Sequence, residues 1–465
     1  MSITRRTLFG AAPAAALAQQ RRKPNIVWIM ADDLGWGDVG CYGQKLIRTP
    51  NIDRMAAEGM RFTDVYAGCS VCAPSRSVLM TGMHAGHTSI RSNPGGVPLL
   101  ESDVTVAELL REQGYTCGLF GKWGLGDVGT ATTAVKKGFD EHVGFLHQAH
   151  AHFQYPRFIY HNDREYPLEG NSDTSRKTYA NDVMARKGLE FIRRNQNRPF
   201  FAYLSYTIPH FEPHVPEDSL SEYRGKFPET TPFRAPNGRL APQTELRAAF
   251  AGMVSRVDRY VGEVLALLRE LNLERDTLVF FTSDNGGINA GDNFFKSCGP
   301  FRGQKGTMNE GGLRVPMIAR WPGRIAAGKV SSFAWSFHDF LPTALDVAGS
   351  GKTHRCDGMS LLPTLLGKNQ KPHDSLYWEL PRYAKGEFVQ ETPQQAMRKG
   401  HWKAVRPKPG APVELYDLRN DPGEERNLAA QHPDVAAGLE AAMKAARVPP
   451  RPQKEPPHPW WDARS

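Results

Sequence analysis

Apolar and polar positions alternate along this chain in a way that is typical of one fold class. From residue 24 onward, short apolar runs typical of buried strands are separated by longer stretches with helical spacing of apolar residues. This order predicts an α/β protein with a mainly parallel central sheet flanked by helices. Two stretches, residues 179–194 and 244–271, are predicted to be helices that cover the sheet. In the second, the apolar stripe leaves Asp258 and Arg259 aside, so they are expected to be a solvated pair.

Polar residues directly follow four of the apolar runs. The four apolar runs are residues 25–30, 115–120, 200–204 and 277–281. The polar segments that follow them are, in the same order, Asp32-Asp33, Gly121-Lys122-Trp123, Pro209-His210 and Ser283-Asp284-Asn285. In open α/β sheets, ligands bind beyond the carboxyl ends of the strands. The four segments are therefore predicted to deliver their polar groups to one site.

The last part of the chain has a different pattern. After about residue 370, short strand-like pieces precede a helix predicted at 433–447. We therefore predict a catalytic domain at 24–370, a smaller C-terminal α+β subdomain at 371–447 and a Pro-rich tail at 448–465. Proline and glycine between residues 213 and 242 predict a long irregular insertion at the rim of the site.

Composition and the N-terminus narrow the class of protein. The chain has 465 residues and a net charge of +9, but its lysines and arginines are scattered, which argues against nucleic acid as a partner and allows a polyanionic substrate. Arg5 and Arg6 precede a short apolar segment that ends in Ala-Leu-Ala at residues 16–18, which predicts a twin-arginine export signal over residues 1–18. A disordered basic N-terminus is the alternative. Because no later apolar run is long enough to span a bilayer, we expect a periplasmic or secreted protein without stable membrane insertion.

The most specific motif surrounds Cys72. It is the run Cys69-Ser70-Val71-Cys72-Ala73-Pro74-Ser75-Arg76, which closes on Leu79-Met80-Thr81-Gly82. The C-x-x-C pair is also found in redox motifs and zinc sites, but no second pair stands at zinc spacing. Arg76 is too close to Cys72 for a thiol phosphatase loop, and a buried structural cysteine is the remaining ordinary interpretation. Pro74 suits the first turn of a helix, and a helix N-terminus beside an arginine is an anion site.

The Cys72 motif resembles the signature of the formylglycine-dependent sulfatases of the alkaline-phosphatase-like superfamily. Further motifs follow in the order of that family, so the likeness covers nearly the whole chain after the N-terminal segment. They are residues 24–27 before Asp32-Asp33, then Gly121-Lys122-Trp123, Pro209-His210, residues 283–287, residues 303–316, and residues 414–417 with Asp421-Pro422. The resemblance implies the α/β fold of that superfamily and the hydrolysis of sulfate esters, with sulfated carbohydrates as substrates and aryl sulfates as surrogates.

The resemblance also implies a modified residue and a metal. A maturation enzyme would oxidise Cys72 to formylglycine (3-oxoalanine), and a hydroxyl of its hydrate would attack sulfur to give a covalent sulfated intermediate. The implied metal ligands are Asp32, Asp33, Cys72 in its modified form, Asp284 and Asn285. These are hard oxygen ligands, so Ca²⁺ is expected, with Mg²⁺ as the alternative. Five other cysteines remain, and an odd number cannot all pair.

Roles for six further side chains follow from the same match. Arg76 would steady the hydrate, while Lys122 and Lys305 bind sulfate and ester oxygens. His210 would protonate the leaving alcohol. His150 and His152 lie in a segment that resembles the pocket lining of some glycan and aryl sulfatases, so we expect them to bind substrate; a separate metal site and plain surface residues are the alternatives.

The chain departs from the family at Gly124. Many members have a histidine two positions after the strand-end lysine, where it helps the sulfated intermediate to collapse. Either another base, such as an aspartate near the hydrate, or a histidine from elsewhere takes this role, and the nearest in sequence are His147, His150 and His152. Two other functions stay open: a phosphate or phosphonate ester hydrolase on the same scaffold, and a non-catalytic protein that binds sulfated glycans.

Overall fold

The structure is a computed structural model that describes residues 23–93, 96–172, 174–229, 232–234, 242–289, 292–384, 387–388 and 392–453. The predicted export signal at 1–18 lies outside the described residues. So do residues 454–465 of the predicted tail and parts of the insertion predicted at 213–242.

A ten-stranded sheet forms the centre of the molecule. The described strands, in chain order, are β1 (Asn25–Asp32), β2 (Met60–Phe62), β3 (Val65–Tyr66), β4 (Thr116–Lys122), β5 (Glu141–Phe145), β6 (Phe158–His161), β7 (Arg164–Pro167), β8 (Phe200–Pro209), β9 (Thr277–Ser283), β10 (Met317–Arg320), β11 (Lys329–Ser331), β12 (Trp335–Ser336), β13 (Leu376–Leu380), β14 (Tyr383–Ala384), β15 (Glu387–Phe388), β16 (Gln394–Lys399), β17 (Trp402–Arg406) and β18 (Glu414–Asp417). The central sheet has the order β11-β2-β10-β9-β1-β8-β4-β5-β6-β7, and its middle run β9-β1-β8-β4-β5 is parallel. The predicted mainly parallel sheet is confirmed.

Helices cover both faces of this sheet because its central strands are apolar on both sides. The described α-helices are α1 (Pro50–Ala57), α2 (Cys72–Thr81), α3 (Val106–Glu112), α4 (Ala180–Arg194), α5 (Glu217–Leu220), α6 (Leu246–Glu270), α7 (Glu310–Leu313), α8 (Phe340–Val347), α9 (Leu362–Leu365) and α10 (Pro433–Ala445). Along β1, Ile26, Trp28 and Met30 belong to the core shared with α2, α3 and α8, whereas Val27 and Ile29 belong to the core shared with α1, α4 and α6. This is the two-residue period of a strand buried on both faces.

The helices predicted at 179–194 and 244–271 are confirmed as α4 and α6, but the solvated position expected for Asp258 is wrong. Asp258 is buried, and its carboxylate accepts hydrogen bonds from the backbone N–H groups of Asn51 and Ile52, each at 2.8 Å. These groups lie in the first turn of α1, where the side chain of the N-cap residue does not accept a capping hydrogen bond. Asp258 therefore caps a helix that is distant in sequence, while Arg259 is partly exposed and pairs with Asp218 at 2.8 Å.

A separate antiparallel sheet, β13-β16-β17-β18, packs against α10 near the C-terminus. The smaller α+β unit is thus part of the fold, while its exact limits at 371 and 447 stay predictions. The first residues of the predicted tail are docked: the Gln453 side chain is buried and accepts hydrogen bonds from Ser92 N at 3.1 Å and Ser92 Oγ at 2.7 Å.

Disulfide bonds and membrane spans do not contribute to the described fold. All six cysteines lie within the described residues, and all are free. Over the same residues, none of the helices is both long enough and apolar enough to cross a membrane.

Candidate active site

The carboxyl ends of four adjacent strands bring the predicted polar residues together. Strand β1 ends at Asp32 and is followed by Asp33, β4 ends at Lys122, β8 is followed by His210, and β9 is followed by Asp284. The four strands are neighbours in the order β9-β1-β8-β4 and are mutually parallel. The prediction of one shared site from distant segments agrees with this topology.

Cys72 is the first residue of α2 and lies beside the end of β1. Its buried thiol donates a hydrogen bond to Asp32 Oδ1 at 3.5 Å. Ser75, one turn along, accepts from Gly68 N–H at 3.0 Å and donates to the carbonyl oxygen of Asp284 at 2.5 Å, which ties the start of α2 to the end of β9. Burial and the charge of Asp32 raise the pKa of the Cys72 thiol well above its usual value. The unmodified thiol therefore stays protonated and is a poor nucleophile.

Three carboxylates and three cations meet in what we call the site cluster. Its members are Asp32, Asp33, Asp284, Arg76, Lys122 and Lys305. Lys122 Nζ lies 2.7 Å from Asp32 Oδ2, Lys305 Nζ 2.7 Å from Asp33 Oδ2, and Arg76 Nη2 2.7 Å from Asp284 Oδ2. Arg76 Nη2 also lies 3.4 Å from Asp32 Oδ2. The formal charges of the cluster balance.

The pKa values of Asp32 and Asp284 are shifted in opposite directions. Burial alone would raise the pKa of Asp32, but Lys122, His210 and Arg76 hold it well below its usual range. Burial and the neighbouring Asp32 raise the pKa of Asp284 to about 6. Converging buried acids with divided pKa values are typical of functional sites.

The oxygen atoms of the site fit a hard divalent cation. Asp32, Asp33, Cys72 and His210 offer potential ligand atoms within 4.8 Å of one another. Asn285 Nδ2 donates to Asp33 Oδ1 at 2.8 Å, but Asn285 Oδ1 is buried and has no hydrogen-bond partner among the described residues. Such an unsatisfied oxygen costs about 1–3 kcal/mol. A cation between the carboxylates and this amide oxygen would remove that cost, and carboxylate and amide oxygens are the ligands that Ca²⁺ and Mg²⁺ prefer.

Of the histidines singled out in the sequence, His210 and His152 lie at the site. His210 Nδ1 is 2.9 Å from the carbonyl oxygen of Phe211, so Nδ1 carries a proton, and Nε2 faces Asp33 Oδ2 at 3.3 Å. The ring of His152 stacks on that of His210, with 4.5 Å between centroids and 20° between planes. His150 instead packs against aromatic rings, with centroids 5.0 Å from Phe145 and 4.9 Å from Phe158.

Two functional contacts of Arg76 were missed from the sequence. Its guanidinium also hydrogen-bonds to the Ser205 hydroxyl and to the carbonyl oxygen of Lys122 at 3.0 Å. Ser205 lies inside the apolar strand β8. A polar residue within a strand that is buried on both faces is the sequence feature that could have indicated such a contact. These bonds hold Arg76 between the ends of β4, β8 and β9.

Comparison with known proteins agrees with this geometry. A family model described as sulfatase matches residues 24–350, and one described as N-sulphoglucosamine sulphohydrolase, C-terminal, matches residues 302–448. The chain is 33% identical to arylsulfatase A of Homo sapiens over 94% of this chain and 90% of that protein. It is 35% identical to N-acetylgalactosamine-6-sulfatase of Canis lupus familiaris over 74% of this chain and 66% of that protein.

Solved structures give the same result. Ps i-CgsB superposes with a TM-score of 0.79 at 29% identity, covering 95% of this chain and 97% of that chain. Phosphonate monoester hydrolase of Agrobacterium radiobacter superposes with a TM-score of 0.69 at 22% identity over 91% and 95% of the two chains, a likeness of fold alone.

The mixed α/β fold, with an acidic cluster at the ends of its parallel strands, defines an enzyme of the alkaline-phosphatase-like superfamily. Within it, the chain belongs to the sulfatase family and is a sulfuric ester hydrolase. Enzymes of this family generally use a formylglycine and a divalent metal.

Proposed function

We propose that the protein removes sulfate from carbohydrates with a formylglycine made from Cys72 and with one Ca²⁺, or alternatively Mg²⁺. The observation that carries the proposal is the position of Cys72. It begins α2 within the site cluster, 3.5 Å from Asp32, and its high thiol pKa makes the unmodified residue a poor nucleophile. A formylglycine there would supply a geminal diol, and the bound cation would supply Lewis acidity.

The charges of the site cluster suit a sulfate ester. The cluster is neutral before the cation binds and carries two positive charges afterwards, which favours an anionic substrate. Asp32, Asp33, Asp284 and Asn285, together with residue 72, are the proposed metal ligands. Their carboxylate and amide oxygens provide the hard donors that Ca²⁺ requires.

The cations and histidines divide the remaining work. Lys122 and Lys305 bind the sulfate and ester oxygens, where they stabilise charge that moves toward the leaving oxygen. Arg76 keeps the residue 72 side chain and Asp284 aligned, and His210 delivers a proton to the departing alcohol. His150 and His152 belong to the substrate-binding segment, with His152 the nearer to the lysines because it stacks on His210.

A carbohydrate substrate is supported by relatives. The canine relative at 35% identity is an N-acetylgalactosamine-6-sulfatase, and Ps i-CgsB, at 29% identity, has been solved in complex with k-i-k-neocarrahexaose. The test is to co-express the protein with a formylglycine-generating maturation enzyme and to analyse the peptide that contains residue 72 by mass spectrometry. We expect the mass of the aldehyde in place of the thiol, together with turnover of an aryl sulfate that exceeds turnover of the matching aryl phosphate. An intact thiol in fully active protein would contradict the proposal.

Export is proposed from the N-terminal twin-arginine pattern. Replacement of Arg5 and Arg6 by lysine should retain the protein in the cytoplasmic fraction, whereas the unaltered chain should be found outside the cytoplasm. Equal distribution of the two forms would contradict export by this signal.

A further inference from the structure

The space beside Gly124, where a side chain would begin, is filled by the end of the Gln148 side chain. Its φ angle is +72°, and a Cβ atom added there would lie 2.2 Å from Gln148 Nε2 and 2.9 Å from Gln148 Cδ. Gln148 is buried and donates from Nε2 to the carbonyl oxygen of Gly124 at 3.2 Å. The backbone N–H of Gly124 also donates to the carbonyl oxygen of Leu146 at 3.0 Å. The segment after β5 is therefore fixed against the end of β4, with Gln148 where a side chain at position 124 would begin.

The same segment carries His152 into the site. Four residues beyond Gln148, the 3-10 turn His150–His152 ends with the His152 ring stacked on His210. The carbonyl oxygen of His152 accepts from Glu212 N–H at 2.6 Å, which joins this turn to the chain that follows His210. One segment thus closes the space at Gly124 and brings an imidazole to the site.

The surroundings of His152 favour its neutral form. Burial, followed by the charges of His210, Lys122 and Lys305, lowers the pKa of His152 well below its ordinary value, and Asp32 acts in the opposite direction. A neutral imidazole beside anion-binding lysines can accept a proton. His210 is placed differently, because its Nδ1 proton is engaged by the Phe211 carbonyl and its Nε2 faces Asp33.

We propose that His152 is a catalytic residue of this chain. It accepts a proton during turnover, a role that Gly124 cannot take because it has no side chain. The inference rests on the proposed function. The proton comes from one hydroxyl of the hydrated residue 72, after sulfate has been transferred to the oxygen of the other hydroxyl. The proton moves from that hydroxyl to His152, and the electron pair of the O–H bond forms the aldehyde C=O bond. The bond between carbon and the sulfate-bearing oxygen breaks, and sulfate leaves with its electron pair. His152 then releases the proton to water.

The test compares His152→Gln and His152→Ala with His432→Ala, in which an exposed histidine beside Trp402 is removed. Each protein, carrying the aldehyde, is mixed with an aryl sulfate and quenched with acid, and the residue 72 peptide is analysed by mass spectrometry. We expect both His152 variants to retain sulfate on residue 72 and to lose about 10²–10⁴-fold in kcat. Added imidazole should partly restore turnover in His152→Ala, and His432→Ala should behave as the parent.

Three outcomes separate this inference from the function on which it rests. Rapid sulfate release by folded His152→Gln would overturn it. Loss of activity in that variant without sulfate on residue 72 would also overturn it, because the histidine would then act in substrate binding or structure. Absence of the aldehyde from the fully active parent protein would instead overturn the proposed function.

Discussion

The protein contains two buried clusters with the same formal charges and opposite character. The site cluster was defined above; the second, which we call the interface cluster, consists of Asp64, Glu310, Glu424, Arg314, Arg398 and Lys403. Lys403 Nζ, on β17, lies 2.7 Å from Glu310 Oε1 and 2.9 Å from Glu424 Oε1. Arg314 lies 2.5 Å from Glu310 Oε2. Each cluster combines three acids with three bases.

The difference lies in what the protein leaves unsatisfied. In the interface cluster, charged groups pair with one another across the junction between the C-terminal sheet and the catalytic core, and Tyr66 adds a hydrogen bond to Glu310 at 3.0 Å. Glu424 Oε1 makes no hydrogen bond among the described residues, and burial raises the pKa of Glu424, but this oxygen lies 2.9 Å from the ammonium group of Lys403. Beside the site cluster, the amide oxygen Asn285 Oδ1 remains without a partner among the described residues. A cluster whose carboxylates all lie beside protein cations stabilises the fold, whereas one that adds an amide oxygen without a partner among the described residues can bind a further cation.

The two clusters are physically connected. Glu310 begins α7, and the carbonyl oxygen of Gly312 in that helix accepts from Gly286 N–H at 3.0 Å. Gly286 follows Asn285 directly, and a Cβ atom on Gly286 would lie 2.0 Å from the Gly311 carbonyl oxygen. The interface cluster therefore holds the helix against which the segment with the proposed metal ligands Asp284 and Asn285 packs.

The largest expected effect comes from removing the proposed nucleophile at position 72. Cys72→Ala should lower sulfatase kcat by about 10⁴-fold or more, the scale of nucleophile deletions in other hydrolases. Thermal denaturation should change little, because the thiol makes one long hydrogen bond. Cys117→Ala, in which another buried cysteine of β4 is lost, is the matched control and should keep its activity. Near-normal kcat in Cys72→Ala would remove the site cluster from catalysis.

The interface cluster should respond through stability. Lys403→Met leaves Glu310 and Glu424 buried without their shared cation, and we expect the free energy of unfolding to fall by about 3–5 kcal/mol. The double variant Lys403→Met, Glu424→Gln removes one of the unpaired charges and should recover part of this loss. Urea unfolding of the three proteins measures both changes, and a single variant as stable as the parent would show that the cluster does not stabilise the junction.

Asp284→Asn should separate metal binding from folding. In the variant, the amide NH2 group replaces one of the two oxygens that accept from Arg76 Nη2 and from Asp33 N–H. We therefore expect the variant to be less stable than the parent in EDTA, and each protein is compared with its own EDTA value. At a Ca²⁺ concentration of 100 Kd the parent should gain about 2.7 kcal/mol by mass action, and the variant should gain far less. Thermal denaturation with and without Ca²⁺ measures this, and equal Ca²⁺-dependent stabilisation would exclude Asp284 as a ligand.

The fold and the site residues were predictable from the sequence because local signals carry them. An apolar run followed by polar residues marks the end of a buried strand, and this holds for Asp32, Lys122, His210 and Asp284 alike. The long helices were predictable because their apolar spacing spans several turns. In both cases the evidence lies within about 20 consecutive residues.

Contacts between distant segments were not predictable. Lys403 in a short strand gives no sign that it is fully buried against Glu310, 93 positions away. In the same way, the sequence around Asp258 on α6 does not indicate that α1 begins beside this residue. The His-x-His pair likewise does not indicate which ring faces the site, because a 3-10 turn, and not a strand or α-helix period, directs His152 to His210.

The smallest expected effect is on pH dependence, where Glu310 of the interface cluster and Asp284 of the site cluster act in opposite directions. In the interface cluster, Arg314 and Lys403 outweigh burial and lower the pKa of Glu310 to about 2, so its contribution to stability is present above about pH 4.5 and is lost as the pH falls toward 2. In the metal-free site cluster, the pKa of Asp284 is raised to about 6, so its contribution is present below about pH 4 and is lost as the pH rises through 6. Urea unfolding in EDTA between pH 3 and 7 should therefore give a stability that declines more steeply with rising pH in the parent than in Asp284→Asn. In Glu310→Gln the decline on the acid side should be reduced instead, and identical pH profiles for all three proteins would contradict the contrast between the two clusters.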